Sequence, residues 1–198
     1  DQALKINPHD IHTILGKGDL LLAMGNYSSA LESYSAALLL AKDNVSALYG
    51  KGLALSSLGR EKEANKCYRR ILELEPDNII ALQKIADDLL ERNESIQAAE
   101  HYGLILGQDP KNARALLGMA KAQLDLGDLD QALQSYEELL GHDSNSSAAW
   151  IGRGEILLLQ TNIDPAIESF KRALDIEPQN PDALMGLAEA LHQKALNR

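Results

Sequence analysis

An all-α protein of antiparallel helix pairs is what this sequence predicts, and three observations predict it. Several residue types recur at a period of 34. The apolar residues between them follow helical spacing. Ala and Leu carry most of the apolar content of the 198 residues, with aromatics only 4%, which favours helix over sheet.

The period is set by parallel series. Gly16 recurs as Gly50, Gly118, Gly152 and Gly186, and Ala30 as Ala64, Ala98, Ala132 and Ala166. Tyr34, Tyr68, Tyr102, Tyr136 and Phe170 keep the same spacing. Gly25, Gly59 and Gly127 form another series, with Asn93 and Thr161 in its gaps. Pro8, Pro76, Pro110 and Pro178 form a fifth, with Lys42 and Ser144 as exceptions. Five full units follow, 11–44, 45–78, 79–112, 113–146 and 147–180, in one array over 1–198.

Residues 1–10 read as the end of a preceding unit. In 11–44, Ile14 and Gly18 mark a first helix, Gly25 stops it, and Ala30, Tyr34 and Ala37 mark a second. In 45–78, Leu48, Lys51, Gly52 and Leu55 keep helical spacing and Gly59 supplies the left-handed stop. A second helix over about 62–75 has Ala64, Tyr68, Ile71 and Leu72 on one face, and Pro76 ends it. The unit 79–112 repeats the scheme with Leu82, Ala86, Asn93, Ala98 and Tyr102, and 113–146 with Leu116, Ala120, Gly127, Ala132 and Tyr136. In 147–180 the markers are Trp150, Gly154, Thr161, Ala166 and Phe170. Asp164-Pro165 reads there as an N-cap followed by proline at the first helical position, and Asn180-Pro181 as the same device opening a helix over 181–198. One pair cannot bury its apolar face alone, but stacked pairs can.

Charge and composition exclude several functions. The net charge of −10 disfavours nucleic-acid backbones and anionic membrane surfaces. No apolar run is long enough to span a membrane. A single cysteine, Cys67, rules out an internal disulfide. No leader-like segment is expected, although a start at Asp1 rather than Met leaves room for one in a longer parent. These residues do not fix the compartment, and a cytoplasmic location is the expectation.

Gly16-Lys17-Gly18 looks like a phosphate cradle, but it lies inside a helix and recurs as Gly50-Lys51-Gly52 and Gly152-Arg153-Gly154. Each lysine is followed by Gly rather than Ser or Thr. Leu21, Leu55 and Leu157 stand where a dinucleotide fingerprint needs its third glycine. His9, His12, His101, His142 and His192 are scattered and form no metal-ligand spacing. Cys67 has no nearby His and reads as packing or an exposed thiol. Neighbouring acids such as Asp87-Asp88 and Glu137-Glu138 point to different helix faces. No enzyme activity, cofactor or metal is expected.

The pattern resembles the tetratricopeptide repeat family over the whole chain. Position 4 of each unit is large and apolar (Ile14, Leu48, Leu82, Leu116, Trp150, Leu184), and position 8 is small (Gly18, Gly52, Ala86, Ala120, Gly154, Ala188). The resemblance implies a right-handed superhelix of helix pairs whose first helices line a concave face. It implies that positions 2, 5, 6, 9, 12 and 13 face that groove. The candidate partner-binding residues are then Leu15, Asp19, Tyr49, Leu53, Gln83, Asp87, Leu117, Lys121, Ile151, Glu155 and Met185.

The position-6 glycines have two readings: a floor bared for a bound chain, or close packing between units. Position 12 (Leu22, Ser56, Leu90, Leu124, Leu158, His192) either lines the groove or packs on a neighbour. Charge per full unit runs −1, +1, −3, −4 and −2, so the last three carry most of the negative charge. The expected partner is a protein or peptide segment, apolar with basic flanks. The acidic residues also read as a surface kept for solubility. Family members that clamp a terminal carboxylate use Lys, Asn and Arg at positions 5, 9, 6 and 2. Here Leu15, Asp19, Gly50, Ile80 and Lys84 build no such clamp, nor do the later frames. Alternatives are self-association through terminal helices, or a regulatory segment of a larger enzyme.

Overall fold

The computed structural model describes residues 10–197, and among them 11 helices and no strand. The helices are α1 (Ile11–Ala23), α2 (Tyr27–Leu40), α3 (Val45–Ser57), α4 (Glu61–Leu74), α5 (Ile79–Glu91), α6 (Ser95–Gln108), α7 (Ala113–Asp125), α8 (Leu129–His142), α9 (Ser147–Leu159), α10 (Ile163–Ile176) and α11 (Pro181–Leu196). The expected tail over 1–10, with Pro8 and His9, lies outside the described residues except for Asp10. Two compact units divide the chain, one ending at Asp88 and the other beginning at Leu89.

Each pair turns on a left-handed residue. Gly25, Gly59 and Gly127 have φ of 75°, 71° and 82°, and Asn93 and Thr161 take the same conformation at 59° and 61°. The following N–H reaches back five residues, as from Arg60 N to Leu55 O and from Asn162 N to Leu157 O. These bonds satisfy carbonyls that the helix end would leave orphaned.

First helices open on a side-chain cap. Asp10, Asn44, Asn78, Asn112, Ser146 and Asn180 each accept from the backbone N–H three residues on. This series also keeps the period of 34. Second helices lack such a bond: the residue before each, such as Asn26 or Asp128, has ψ near 60° rather than the extended value near 100°. Asp164-Pro165 is therefore not the start of α10. That helix begins at Ile163 after Asn162, with Pro165 in its first turn, where a missing N–H costs nothing. Asn180-Pro181 does open α11 as expected.

The core repeats with the sequence. Ala30, Ala64, Ala98, Ala132 and Ala166 are fully buried, and the five aromatics of the Tyr34 series are almost so. Ile71, Ile105 and Leu139 fill the place taken elsewhere by Ala37 and Ala173. In the second unit, Phe170, Ala173, Ala183 and Ala190 belong to one cluster, and Leu116, Tyr136, Leu139 and Ile156 to another.

The position-6 glycines belong to this packing. A Cβ built on Gly50 would overlap the ring of Tyr34, on Gly118 that of Tyr102, on Gly152 that of Tyr136, and on Gly186 that of Phe170. The position-8 glycines meet the same rings from within the pair: a Cβ on Gly18 would lie 2.7 Å from Tyr34, on Gly52 2.6 Å from Tyr68 and on Gly154 2.8 Å from Phe170. Tyr34 and Phe170 are each held between two glycines. Gly16 has no preceding ring among the described residues, and nothing lies within 4 Å of its Cβ position. Close packing thus accounts for four of the five position-6 glycines.

Candidate functional site

First helices present the candidate residues, but not all to the same degree. In the first unit, Leu15 is half-buried against Ile14 and Tyr34 and their neighbours. Asp19 is exposed and accepts a 2.7 Å hydrogen bond from the Tyr34 hydroxyl. Burial and this bond together push the Tyr34 phenol well above its ordinary range. Tyr49 is half-buried with its ring 6.4 Å from that of Tyr68, and Leu53 is half-buried beside it in sequence order on α3. Gln83 is 7% exposed, and its amide donates to Asp87 at 2.7 Å. That pairing leaves the glutamine little surface to offer a ligand.

In the second unit, Leu117 is half-buried on the cluster around Leu116 and Tyr136. Ile151 is only 9% exposed and belongs to the core cluster around Phe170. Lys121 and Glu155 are exposed, and Met185 is 69% exposed.

Glu155 and Met185 come together in a concavity of about 470 Å³. Leu124, Leu158, Leu159 and Met185 form its apolar walls, over the Phe170 ring and Gly186. Glu155, Asp182 and Glu189 supply three carboxylates, and Gln193 completes the lining. All but Phe170 occupy repeat positions 2, 5, 6, 9, 12 or 13. The volume lies within the range of small ligand pockets, ~300–1,000 Å³. Leu158 is nearly buried and Leu159 is 64% exposed, so one apolar surface runs from core to solvent.

The electrostatics of the cavity are one-sided. Among the described residues no lysine or arginine lines it. Although Glu155 is exposed, partial desolvation by the cavity walls pushes its carboxyl above its usual value, the Asp182 carboxylate adds to this, and Lys121 opposes it. Gln193 donates to Glu189 at 3.3 Å. Asp182 sits in the first turn of α11. Asp182, Leu159, Glu189 and Gln193 are outside the set predicted from sequence, although the repeat positions implied by the family resemblance point to them.

Other candidates resolve as structure. Cys67 is buried, and burial raises its thiol pKa, with Lys51 opposing and Glu63 assisting. No group of three or more His, Cys, Asp or Glu among the described residues could hold a metal ion. No helix among them is long and apolar enough to cross a membrane. Arg153, in the third Gly-x-Gly triplet, lies 5.8 Å from the Trp150 ring centre, donates to Ser169 at 2.7 Å and pairs with Glu137 at 3.2 Å. Its long stem thus carries the charge to partners at the edge of the pair, as a snorkelling residue does.

Comparison with known proteins agrees with this architecture. The tetratricopeptide repeat model matches residues 15–79, 84–147, 117–181 and 160–196. No curated protein sequence matches the chain significantly. Among solved structures, YrrB, described as a TPR protein with an unusual peptide-binding site, is 22% identical with a TM-score of 0.78, covering 93% of this chain and 95% of YrrB. MamA from Desulfovibrio magneticus RS-1 is 19% identical with a TM-score of 0.79, over 86% of this chain and 97% of that one. Yeast Tom70 is 20% identical with a TM-score of 0.73, over all of this chain and 42% of its own. At these identities the likeness shows the fold. The model match spans nearly the whole sequence, and the chain belongs to the tetratricopeptide repeat family.

Proposed function

We propose that this protein-interaction scaffold binds a peptide or helical segment on its first-helix face, and that the segment is apolar with basic flanks. The observation that carries the reading is the cavity lined by Leu124, Leu158 and Met185 beneath three carboxylates. Apolar surface of this kind, joined to three carboxylates that only Lys121 partly offsets among the described residues, complements an apolar segment bearing lysine or arginine. YrrB is described as having a peptide-binding site, which supports a similar use of the fold here. The whole sequence is proposed to act as one array, and Leu15, Asp19, Tyr49 and Leu53 are the first-helix residues proposed to bind in its first unit.

The test is a pull-down with three baits: the native chain, a Leu117→Glu, Met185→Glu variant, and a control changed outside the cavity at Glu137→Gln. Helicity is checked in each. A protein retained by the native and control baits and lost from the groove variant supports the reading. Equal capture by all three removes it. Ile151 is left unchanged because its burial makes a glutamate there a folding lesion.

A second reading rests on α11. Its positions 4, 8 and 11, Leu184, Ala188 and Leu191, are exposed, whereas Leu48, Gly52 and Leu55 at the same positions of α3 are buried. An apolar stripe of this kind suits self-association. Light scattering that shows a monomer at every concentration removes that reading.

A further inference from the structure

We propose that the cavity between α7, α9 and α11 is a subsite for one lysine or arginine side chain of the bound segment, with its aliphatic stem on Leu124, Leu158 and Met185 and its charged head among Glu155, Asp182 and Glu189. The inference rests on the groove reading above and deepens it, because it names the side chain that one place in the groove selects.

Three features of the cavity lead there. Its base is hydrocarbon: Leu124 is half-buried, Leu158 is 9% exposed and the buried Phe170 lies behind them in the lining. Met185 stands 69% exposed at the wall, an unbranched side chain that adapts to an aliphatic stem. Among the described residues the three carboxylates share the lining with no cation, and the Asp182 charge raises the cost of ionising Glu155, an effect that Lys121 outside the lining opposes. A guanidinium or ammonium placed among them relieves that repulsion, while its methylenes cover the apolar base. An aliphatic side chain would satisfy the base and leave the acids unpaired. An acidic one would meet three like charges. A free metal ion would gain nothing from the apolar walls. The occupant that uses both halves of the site is a long cationic side chain.

The experiment is a selection of random dodecapeptides displayed on phage against the intact chain. An enriched peptide is then synthesised with each Lys or Arg replaced in turn by norleucine or citrulline. Binding is measured by calorimetry to the native protein, to Glu155→Gln, Asp182→Asn, and to Glu137→Gln as a remote control, and the Met185 methyl signal is followed by NMR. The expected result is one cation whose neutralisation weakens binding at least tenfold on the native and control proteins, shifts the Met185 methyl response, and has less than a twofold effect on the double variant. If the Met185 methyl responds to bound peptide but no single cation couples to Glu155 and Asp182, the subsite is overturned and the groove reading stands. If peptides bind without moving that methyl, or none is enriched, the groove reading falls and the subsite with it.

Discussion

The ring of Tyr34 occupies the space that a side chain on Gly50 would need, and Gly18 closes on the same ring from within its own pair. The glycine at position 6 is therefore a partner of the preceding aromatic. Replacement of Gly152 by alanine should cost about 1–3 kcal/mol through overpacking against the buried Tyr136 ring. At Gly16, with nothing within 4 Å of its Cβ position, the same change should stabilise by about 0.5–1 kcal/mol, because alanine is the better helix former. Urea melts of the two variants check the opposite signs.

Two tyrosines of one series differ in their hydroxyls. The Tyr34 hydroxyl donates to Asp19, whereas that of Tyr68 is buried with no hydrogen-bond partner. A buried unpaired hydroxyl is a penalty, so Tyr68→Phe should be neutral or stabilising. Tyr34→Phe should cost about 1–2 kcal/mol, since it also removes a bond to a charged acceptor. Phe170 already fills the equivalent place with no hydroxyl. Thermal midpoints of the two variants decide the matter.

Thr161 holds φ of 61°, a conformation that a β-branched residue adopts at a cost. Thr161→Gly should stabilise the α9–α10 turn by about 1 kcal/mol. A denaturation midpoint at or below that of the native protein would contradict this.

Glu155 is expected to set stability against the proposed binding. Its pKa in the folded chain lies above the ordinary 4.5, through burial first and then Asp182, with Lys121 opposing. A raised folded pKa favours the fold below the unfolded value, and that contribution is lost as pH rises through the folded value. At neutral pH the ionised carboxylate is a liability to the fold. Glu155→Gln should raise the melting midpoint at pH 7, with the gain fading below about pH 4. The same variant should weaken binding of cationic peptides. Melts across pH 3–8 test the sign.

Cys67 should be slow toward thiol reagents. It is 7% exposed, and burial raises its pKa, so little thiolate forms. Reaction with a disulfide reagent should be complete only in denaturant. Fast labelling of the native chain would show that α4 opens readily.

The period of 34 made the helix pairs and their turns legible, because Gly25, Gly59, Asn93, Gly127 and Thr161 mark left-handed turns whatever the tertiary context. The cap series from Asp10 to Asn180 was equally readable in the residue types, yet Asp164-Pro165 is the more conspicuous signal and points two residues past the true start of α10. The groove was harder. Position within a repeat gives the side a residue faces, but not how far its neighbours cover it. Ile151 and Met185 share position 5, and one is buried while the other stands in solvent. The difference comes from the neighbours that pack over each, for Ile151 residues such as Ala166, Phe170 and Ala183, which no local pattern contains. The cavity was legible only as a set of positions, and its three-carboxylate rim emerged when α7, α9 and α11 were assembled.

The ring-and-gap match also sets a rule for recombining the chain. Any unit ending in a Tyr or Phe of the Tyr34 series can be joined to any unit whose position 6 is glycine, since knob and socket are the same. The pairs Tyr34 with Gly50, Tyr102 with Gly118, Tyr136 with Gly152 and Phe170 with Gly186 are interchangeable joints in this sense. Tyr68 is followed at that place by Lys84, so this joint alone carries a private key. Units duplicated or deleted at the four common joints should keep their seams, while a cut at the fifth should not, because the residue after Tyr68 at that place is lysine.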